Sequence, residues 1–567
     1  MQNFNLMKVM KNLLKNIFSI GLIASFWACE DLTEVNINPN SPEQVSSNYI
    51  LTYVLSNTAK TYHNLGYENS KIAGAMQYVQ RGTNEGAVVV NYYGWGHESW
   101  NSYFDILRNN QVIYENAIEE DNQFFKGIAL IMRSFHFGLM SDLYGDIPYS
   151  NALQANNDVF FPNYDRQEEV YKGIMIDLKE ADALLQNLDP AKDLVNSSSD
   201  ILYGGDSQKW RKFANALRMR YSMRLISKKS EMTALGIDLV NEFDEAVQFT
   251  FTDNADDAKV DFLGTDENNA APGGPLNSPN PNLLLKPAQT IVDKLIGLND
   301  PRLYRWMMPV QYKWDEEVMV EKDSVVTNIL GESYTVRFKP APEGLDVNTN
   351  LYVGLPVGLP IVEAMAFNKG NDEEGYHPER SPYISYLHER YRKNQDEYVS
   401  MNLITYSEVK FLMAEAAQMG GFSVSDPEMH YKDGIKASME KYGILSNPGS
   451  FNFDTYYEQA SVSFASGDNK EQRIMEQKWL ANWQNPQAWF DWRRTGYPVL
   501  EAGPVTQFGA AIPVRYMYPS PNLDPNYLVN YEEALSSLEN TEYIPAGQSK
   551  DHPYAKMWLL QNSGKPW

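Results

Sequence analysis

Two apolar stripes at helical spacing lie back to back between residues 98 and 144, and they set the terms for the rest of the chain. In Glu98–Ile118, the residues Trp100, Tyr103, Phe104, Leu107 and Ile113 recur on one helical face. In Asn122–Tyr144, Phe124, Phe125, Ile128, Met132, Phe135, Leu139 and Leu143 do the same. The connection is only a few residues long, so the two helices are expected to pack antiparallel. Gly145-Asp146-Ile147-Pro148 ends the pair. Further helices are expected over Glu43–Tyr62, where Pro42 follows Ser41 as a helix-start signal, and over Ser70–Gln80, Arg166–Leu188 and Ser207–Lys228.

This rhythm of helix pairs resembles a degenerate tetratricopeptide array, in which pairs stack as a solenoid. The predicted fold class is therefore mostly α. A helical scaffold spans about residues 43–230 and 406–484, and a loop-rich excursion with a few short strands spans about 241–400. The stretch ADDAKVDFLGTDENNAAPGGPLNSPNPN opens that excursion with Gly, Pro, Asn and Asp, and long irregular segments of this kind often carry function. A strand pair is expected around Glu316–Phe338. Helices return at Tyr406–Met419, Pro427–Tyr442, Phe453–Phe464 and Lys470–Gln484. Trp479, Trp483, Trp489 and Trp492 cluster there and are expected in the core, and the segment from about Ala510 is expected to wrap back over the body.

The single cysteine, Cys29, follows an uncharged run, Ile17–Ala28, that is itself preceded by Lys8, Lys11 and Lys15. A basic start, a short apolar run and a small residue before the cut read as an export signal over residues 1–28. The run is too short for a membrane span, which needs about 20 residues. A lone thiol cannot make an internal disulfide. The stretch resembles a bacterial lipoprotein signal in which the cysteine becomes the acylated first residue. Cys29 is thus the expected lipid anchor, and residues 29–567 form a single body. Phe26 stands where such signals usually carry Leu, and an ordinary signal with an incidental cysteine is the alternative.

With a formal charge of −25, the chain lacks the basic balance that nucleic-acid binders need, and neutral ligands are favoured over acidic polymers. It holds 36 Tyr and 12 Trp, which suits a protein that presents flat rings with polar tips. The strongest candidate site is Asn91-Tyr92-Tyr93-Gly94-Trp95-Gly96-His97. Trp95 lies between two glycines and belongs to no helical stripe, so its ring is expected either to face solvent on a loop or to fold into the core. Trp306 is the second candidate, with burial beside Met307 and Met308 as its alternative. Tyr78, Tyr92 and Tyr93 are candidate rings, and Asn91, Arg390 and Glu408 are candidate hydrogen-bond partners for hydroxyls. Trp100 belongs to a helical stripe and is assigned to the core.

No His-Glu-x-x-His, Gly-x-Ser-x-Gly, phosphate loop or Gly-x-Gly-x-x-Gly occurs, and neither a cofactor nor a metal is expected. Asp253–Asp266 lacks the spacing of a calcium loop. A glycoside hydrolase, which needs only two suitably spaced carboxylates, and a structural or adhesin-type surface protein remain the alternatives.

Taken together, several pieces resemble the SusD/RagB-like outer-membrane lipoproteins of Bacteroidetes. They are Cys29-Glu30-Asp31, Asn38-Pro39-Asn40, Leu143-Tyr144-Gly145-Asp146-Ile147-Pro148-Tyr149 and Asp300-Pro301-Arg302-Leu303. Tyr406-Ser407-Glu408-Val409 running into Ala414-Glu415-Ala416 is another, as is Gln477-Lys478-Trp479 leading to Trp489-Phe490-Asp491-Trp492-Arg493-Arg494-Thr495-Gly496. The late box, Val514-Arg515-Tyr516-Met517-Tyr518-Pro519, departs from the commoner form and marks a divergent branch. The resemblance implies a surface glycan-binding protein, not an enzyme, that sits in the outer membrane through its lipid. It further implies that the protein caps a SusC-like TonB-dependent transporter and passes oligosaccharides to it. A neutral glycan, with a β-glucan such as laminarin as the specific guess, is the expected ligand.

Overall fold

The computed structural model describes residues 45–67, 71–81, 90–155, 158–277, 285–372, 380–446, 449–506, 511–521, 524–565 and 567. The export signal, Cys29, Asn38-Pro39-Asn40, the Ser41–Glu43 helix start and the Gly82–Gly86 loop lie outside them.

Helix α1 (Ser47–Gly66), the short α2 (Lys71–Ala75) and strand β1 (Val79–Arg81) lead into the long pair α3 (Asn101–Glu119) and α4 (Gln123–Tyr144). Local chemistry sets the bounds of α4. Asn122 accepts a hydrogen bond from the Phe125 N–H at 3.0 Å as N-cap, and Gly145, at φ 100°, ends the helix in a conformation that favours glycine. Asn110 of α3 donates to the Ala129 carbonyl of α4 at 2.8 Å and ties the pair together. Strands β2 (Ile147–Pro148) and β3 (Tyr164–Asp165) pair antiparallel in the connection to α5 (Gln167–Gln186) and α6 (Ser207–Arg224). Short helices α7 (Lys229–Ala234) and α8 (Leu239–Val247) follow. Each of α4, α5 and α6 packs on its predecessor, giving the stacked helix pairs expected.

The excursion then carries β4 (Ala258–Asp261), β5 (Leu285–Pro287), α9 (Gln289–Gly297), α10 (Arg302–Trp306), β6 (Tyr312–Asp315), β7 (Lys322–Thr327), β8 (Ser333–Pro340) and α11 (Ile361–Ala366). The expected strand pair is β7–β8, antiparallel, and β6 joins the other edge of β8 in parallel. Strand β9 (Ser400–Ile404) pairs with β4, and β5 pairs with β1, so both ends of the excursion are stitched to the scaffold. The scaffold resumes with α12 (Tyr406–Met419), α13 (Pro427–Lys441), α14 (Phe453–Tyr457), α15 (Lys470–Ala481) and α16 (Gln487–Thr495). A C-terminal segment containing α17 (Pro525–Ser536) wraps back: Tyr516 donates its N–H to Leu143 O at 2.8 Å, and Tyr518 its hydroxyl to Asp146 O at 2.9 Å. Ser47–Trp567 forms one compact unit, and the fold is mostly helical with a few short strands.

Two expected helices are cut short. Ser70–Gln80 stops at Ala75, where Gln77 takes a φ of 55°, and the chain then becomes β1. Gly74 has no room for even a Cβ, which would lie 2.2 Å from Val90 O. Phe453–Phe464 stops at Tyr457, and Arg473 takes the carbonyls of Ala460 and Ser461 that a longer helix would have used.

Helix α6 is buried from Phe213 to Arg224 and at Trp210 and Arg211, yet four arginines lie on it. Arg218 reaches Glu242 of α8, Arg220 reaches Glu408 of α12 at 2.8 Å, and Arg224 reaches Asp142 of α4 at 2.7 Å. Arg211 pairs with Asp182 of α5 at 2.9 Å. The Arg220–Glu408 pair fastens the first half of the scaffold to the second.

A buried histidine at the α1–α4 contact makes the fold sensitive to acid. His136 is fully buried, its Nε2 lies 2.7 Å from Thr58 Oγ1, and burial pushes its pKa down to about 3. The unfolded chain takes up this proton below about pH 6.5, whereas the folded chain does so only near pH 3. The unfolded state therefore binds the extra proton in that window, and stability falls as pH drops through it by about 1.4 kcal/mol per pH unit at most. His136→Leu is expected to flatten the fall in unfolding free energy between pH 6.5 and 5 by up to that slope, measured by urea denaturation. An unchanged slope contradicts the assignment.

Candidate functional site

One cleft formed by described residues brings rings and uncharged polar groups together in a volume open enough for a ligand. It lies in the excursion, between α9, α10 and the β7–β8 hairpin, and its volume is about 300 Å³. Tyr304, Tyr334 and Tyr352 supply its rings, and Thr327, Asn328 and Asn350 its uncharged polar groups. Tyr304 and Tyr352 meet edge to face with ring centres 5.7 Å apart. Tyr352 is buried, while Tyr304 and Tyr334 are half-buried with surface left to offer.

A buried ion pair orients α10. The Asp300 carboxylate accepts from the Arg302 side chain at 2.9 and 2.6 Å and from the Tyr456 hydroxyl at 2.6 Å, while Arg302 also donates to Ser438 of α13 and Gln477 of α15. With α10 pinned on that side, residues two apart point in nearly opposite directions, because a helix turns about 100° per residue. Trp306 therefore enters the core and Tyr304 faces the cleft.

Glu332 organises the hairpin side. It accepts from Arg305 at 2.6 Å, from Asn328 Nδ2 at 3.0 Å and from the Tyr334 hydroxyl at 3.1 Å. Asn328 Oδ1 in turn accepts the N–H groups of Leu330 and Glu332, closing the turn before Gly331, whose φ is 81°. His388 Nδ1 accepts from the Arg390 N–H at 3.2 Å, which puts the ring proton on Nε2, 3.3 Å from the Tyr334 oxygen. Burial and the Arg390 charge hold His388 neutral, with its pKa lowered to about 3. Burial and the Glu332 charge push the Tyr334 hydroxyl well above the ordinary tyrosine range, so it stays protonated and donating. Asp300 and Glu332 are thus both committed to protein partners. The cleft offers ring surfaces, amides and a hydroxyl, a set suited to holding a neutral polyhydroxyl ligand.

The residues expected from the sequence fall elsewhere, and most are core. Trp95 is 3% exposed: the Trp95 N–H turns back to Tyr93 O at 2.8 Å, and its ring packs edge-on to Trp489 and Tyr516, each 5.5 Å away. The expectation of a solvent-facing ring is corrected, because the C-terminal wrap supplies the covering Tyr516. Trp306 is completely buried, stacked on Trp483 at 4.9 Å with rings 5° from parallel. Tyr78 stacks on Trp479 at 5.4 Å and donates its hydroxyl to the Trp479 carbonyl, and Tyr93 is completely buried. Asn91 spends its amide on the Arg81 backbone, donating to O and accepting from N, both at 2.8 Å. Glu408 is sealed in its pair with Arg220. Arg390 is buried over the Tyr398 ring and comes within 4.0 Å of Glu332, behind the cleft. Tyr92 alone of the candidate rings stays half-buried, donating its hydroxyl to Leu359 O at 3.0 Å. Tyr78 and Trp306 do come together, both against Trp483, but inside the core.

The Trp479–Trp492 cluster is buried as expected, and Trp100 packs against the core among Phe104, Tyr144, Tyr164 and Tyr518. The three cleft tyrosines were not singled out from the sequence. The available signal was the spacing of Tyr304 and Trp306, two residues apart on one helical turn, which points their side chains in nearly opposite directions. Among the described residues, no group of three or more His, Cys, Asp or Glu is arranged to hold a metal ion, and no helix is long and apolar enough to cross a membrane.

The protein is thus a stacked-helix scaffold bearing a ring-lined cleft on a loop-rich excursion. The chain belongs to the SusD-like_2 family, described as starch-binding and associating with the outer membrane, which matches residues 39–519. That family is one of carbohydrate-binding proteins of the outer membrane. Solved structures share the fold. A SusD homologue from Bacteroides fragilis is 22% identical with a TM-score of 0.67, over 91% of this chain and 100% of its own. A SusD/RagB family protein from Bacteroides thetaiotaomicron is 24% identical with a TM-score of 0.64, over 91% and 99%. A chitin-binding protein is 21% identical with a TM-score of 0.67, over 91% and 100%. A search of curated proteins gives no match.

Because Trp95 and Trp306 hold the core together, Trp95→Ala and Trp306→Ala are each expected to lower stability by about 3–5 kcal/mol. Urea denaturation checks this, and unchanged stability would return either ring to the surface.

Proposed function

We propose that this protein is a cell-surface glycan receptor, anchored by lipid at Cys29, that captures a neutral oligo- or polysaccharide without cleaving it and delivers it to a SusC-like TonB-dependent transporter. The observation that carries the reading is the cleft at Tyr304, Tyr334 and Tyr352, on the fold of a carbohydrate-binding family. Sugar rings have apolar C–H faces and polar edges. Tyrosine rings match the faces, while the Tyr334 hydroxyl and the Asn328 and Asn350 amides match the edges. Tyr92, the one ring from the sequence-derived set with exposed surface, is a candidate for a flanking contact.

The formal charge of −25 favours an uncharged polymer, and a β-glucan such as laminarin is the specific ligand proposed. An open site of this kind binds with micromolar to millimolar dissociation constants, about −8 to −4 kcal/mol. Firm retention then requires closure against the transporter.

Affinity electrophoresis of the chain from residue 30 onward against laminarin, starch and soluble chitin derivatives tests the reading, with reducing-sugar release assayed in the same tubes. Retardation by one polymer without sugar release is expected. Tyr304→Ala should weaken it at least tenfold while leaving the melting temperature within a few degrees of the parent. Sugar release would instead make the protein a glycosidase. An unaffected Tyr304→Ala variant would move the site away from this cleft.

A further inference from the structure

A second cleft, formed by other elements, is built for the same ligand chemistry. It lies between α3, α4 and the Tyr149–Gln154 segment that follows β2, and its volume is about 500 Å³. Arg133 is fixed at its floor: Nε and Nη2 both donate to Asp177 at 2.9 Å, and the guanidinium lies 5.0 Å over the Tyr114 ring. The fork to Asp177 uses two of its nitrogens, and Nη1 makes no hydrogen bond among the described residues.

The facing segment is equally rigid. Asp165 accepts from Tyr149 N at 3.0 Å, Ser150 N at 2.9 Å and Ser150 Oγ at 2.6 Å. Tyr149 packs edge-on to Phe137 at 4.8 Å, and these two rings form one wall of the cleft. Gln154 donates Nε2 to Ser150 O at 2.9 Å, which leaves its Oε1 as an acceptor. Gln111 donates Nε2 to Glu115 at 2.9 Å, which leaves Gln111 Oε1 and the second Glu115 oxygen as acceptors.

The cleft therefore holds a locked donor among several acceptors beside an aromatic wall. Vicinal hydroxyls, each of which donates and accepts, satisfy such a set. An anion does not, because Asp177 and Glu115 already outweigh the Arg133 charge. Because its groups are held before any ligand arrives, the site pays little ordering entropy on binding.

We infer that this cleft is a second binding site for a neutral saccharide, carried on the helical scaffold rather than on the excursion. The inference rests on the reading that the ligand is a neutral glycan, but not on the Tyr304 cleft being its site.

Titration calorimetry of the full soluble chain with laminarihexaose, maltohexaose and chitohexaose tests it, using the parent, Tyr304→Ala, Gln111→Ala/Gln154→Ala and all three changes together. Melting temperatures confirm folding. Two equivalents of one hexaose are expected for the parent and one for Tyr304→Ala. That remaining site should weaken at least tenfold when Gln111 and Gln154 are also changed. Arg133→Lys, which keeps the charge but loses the fork, is expected to weaken the same site. One equivalent for the parent, abolished by Tyr304→Ala, overturns the second site and leaves the first. Binding lost only with Gln111 and Gln154 keeps the second site and overturns the first. No binding of any hexaose overturns both.

Discussion

Helix α6 is buried along most of its length and yet carries Arg211, Arg218, Arg220 and Arg224, so its charges have to be met inside the protein. They are met from α5, α8, α12 and α4, by Asp182, Glu242, Glu408 and Asp142. The second half of the scaffold has its own set: Arg494 with Glu415, and Lys478 with Asp491 at 2.8 Å. Such pairs add little net stability over apolar packing, but a wrong arrangement strands a charge at a cost of about 3–5 kcal/mol. Their effect is to select one stacking of the helices. Arg220 and Glu408 lie on either side of the excursion, so their pairing also fixes where the excursion leaves the scaffold and where it returns. The Asp300–Arg302 pair repeats the device within the excursion and decides which ring of α10 faces outward.

Much of the scaffold was legible because burial writes itself into helical spacing. The bounds of α3, α4, α5 and α12 follow from apolar stripes, from Asn122 as cap and from Gly145 as stop. What could not be read depends on distant segments. Trp95 has no local stripe to bury it, and it is covered by Tyr516, more than four hundred residues later. Glu408 and Glu415 look like the solvated acids of a helix face until α6 and α16 bring arginines to them. At the cleft, Trp306 was the ring expected from the sequence, and Tyr304, two residues before it, is the one that lines the cleft. The decision between them belongs to Trp483, which stacks on Trp306 and removes it from the surface.

The two clefts share a logic although no element is common to both. In each, a carboxylate fixes polar groups that line the cleft: Glu332 fixes Tyr334 and Asn328, and Asp177 fixes Arg133. These two carboxylates, Glu332 and Asp177, are largely spent on protein partners in doing so. Rings half-open to solvent beside such fixed groups present apolar faces and polar edges side by side.

The segment beyond residue 510 has a further consequence. Trp489 donates its indole N–H to Pro513 O at 2.8 Å, Arg493 donates to Val514 O at 2.7 Å, and Arg515 reaches Tyr144 O at 3.3 Å and Asp551 at 2.7 Å. Trp567 stacks on Trp492 at 4.5 Å. The helices at the front of the chain are thus roofed by its last part. A chain that emerges N-terminus first keeps the ring surfaces around Trp95 and Tyr144 uncovered until that roof arrives, and contacts so far apart in sequence form slowly. The core around the first helices is therefore completed only when nearly the whole chain is available.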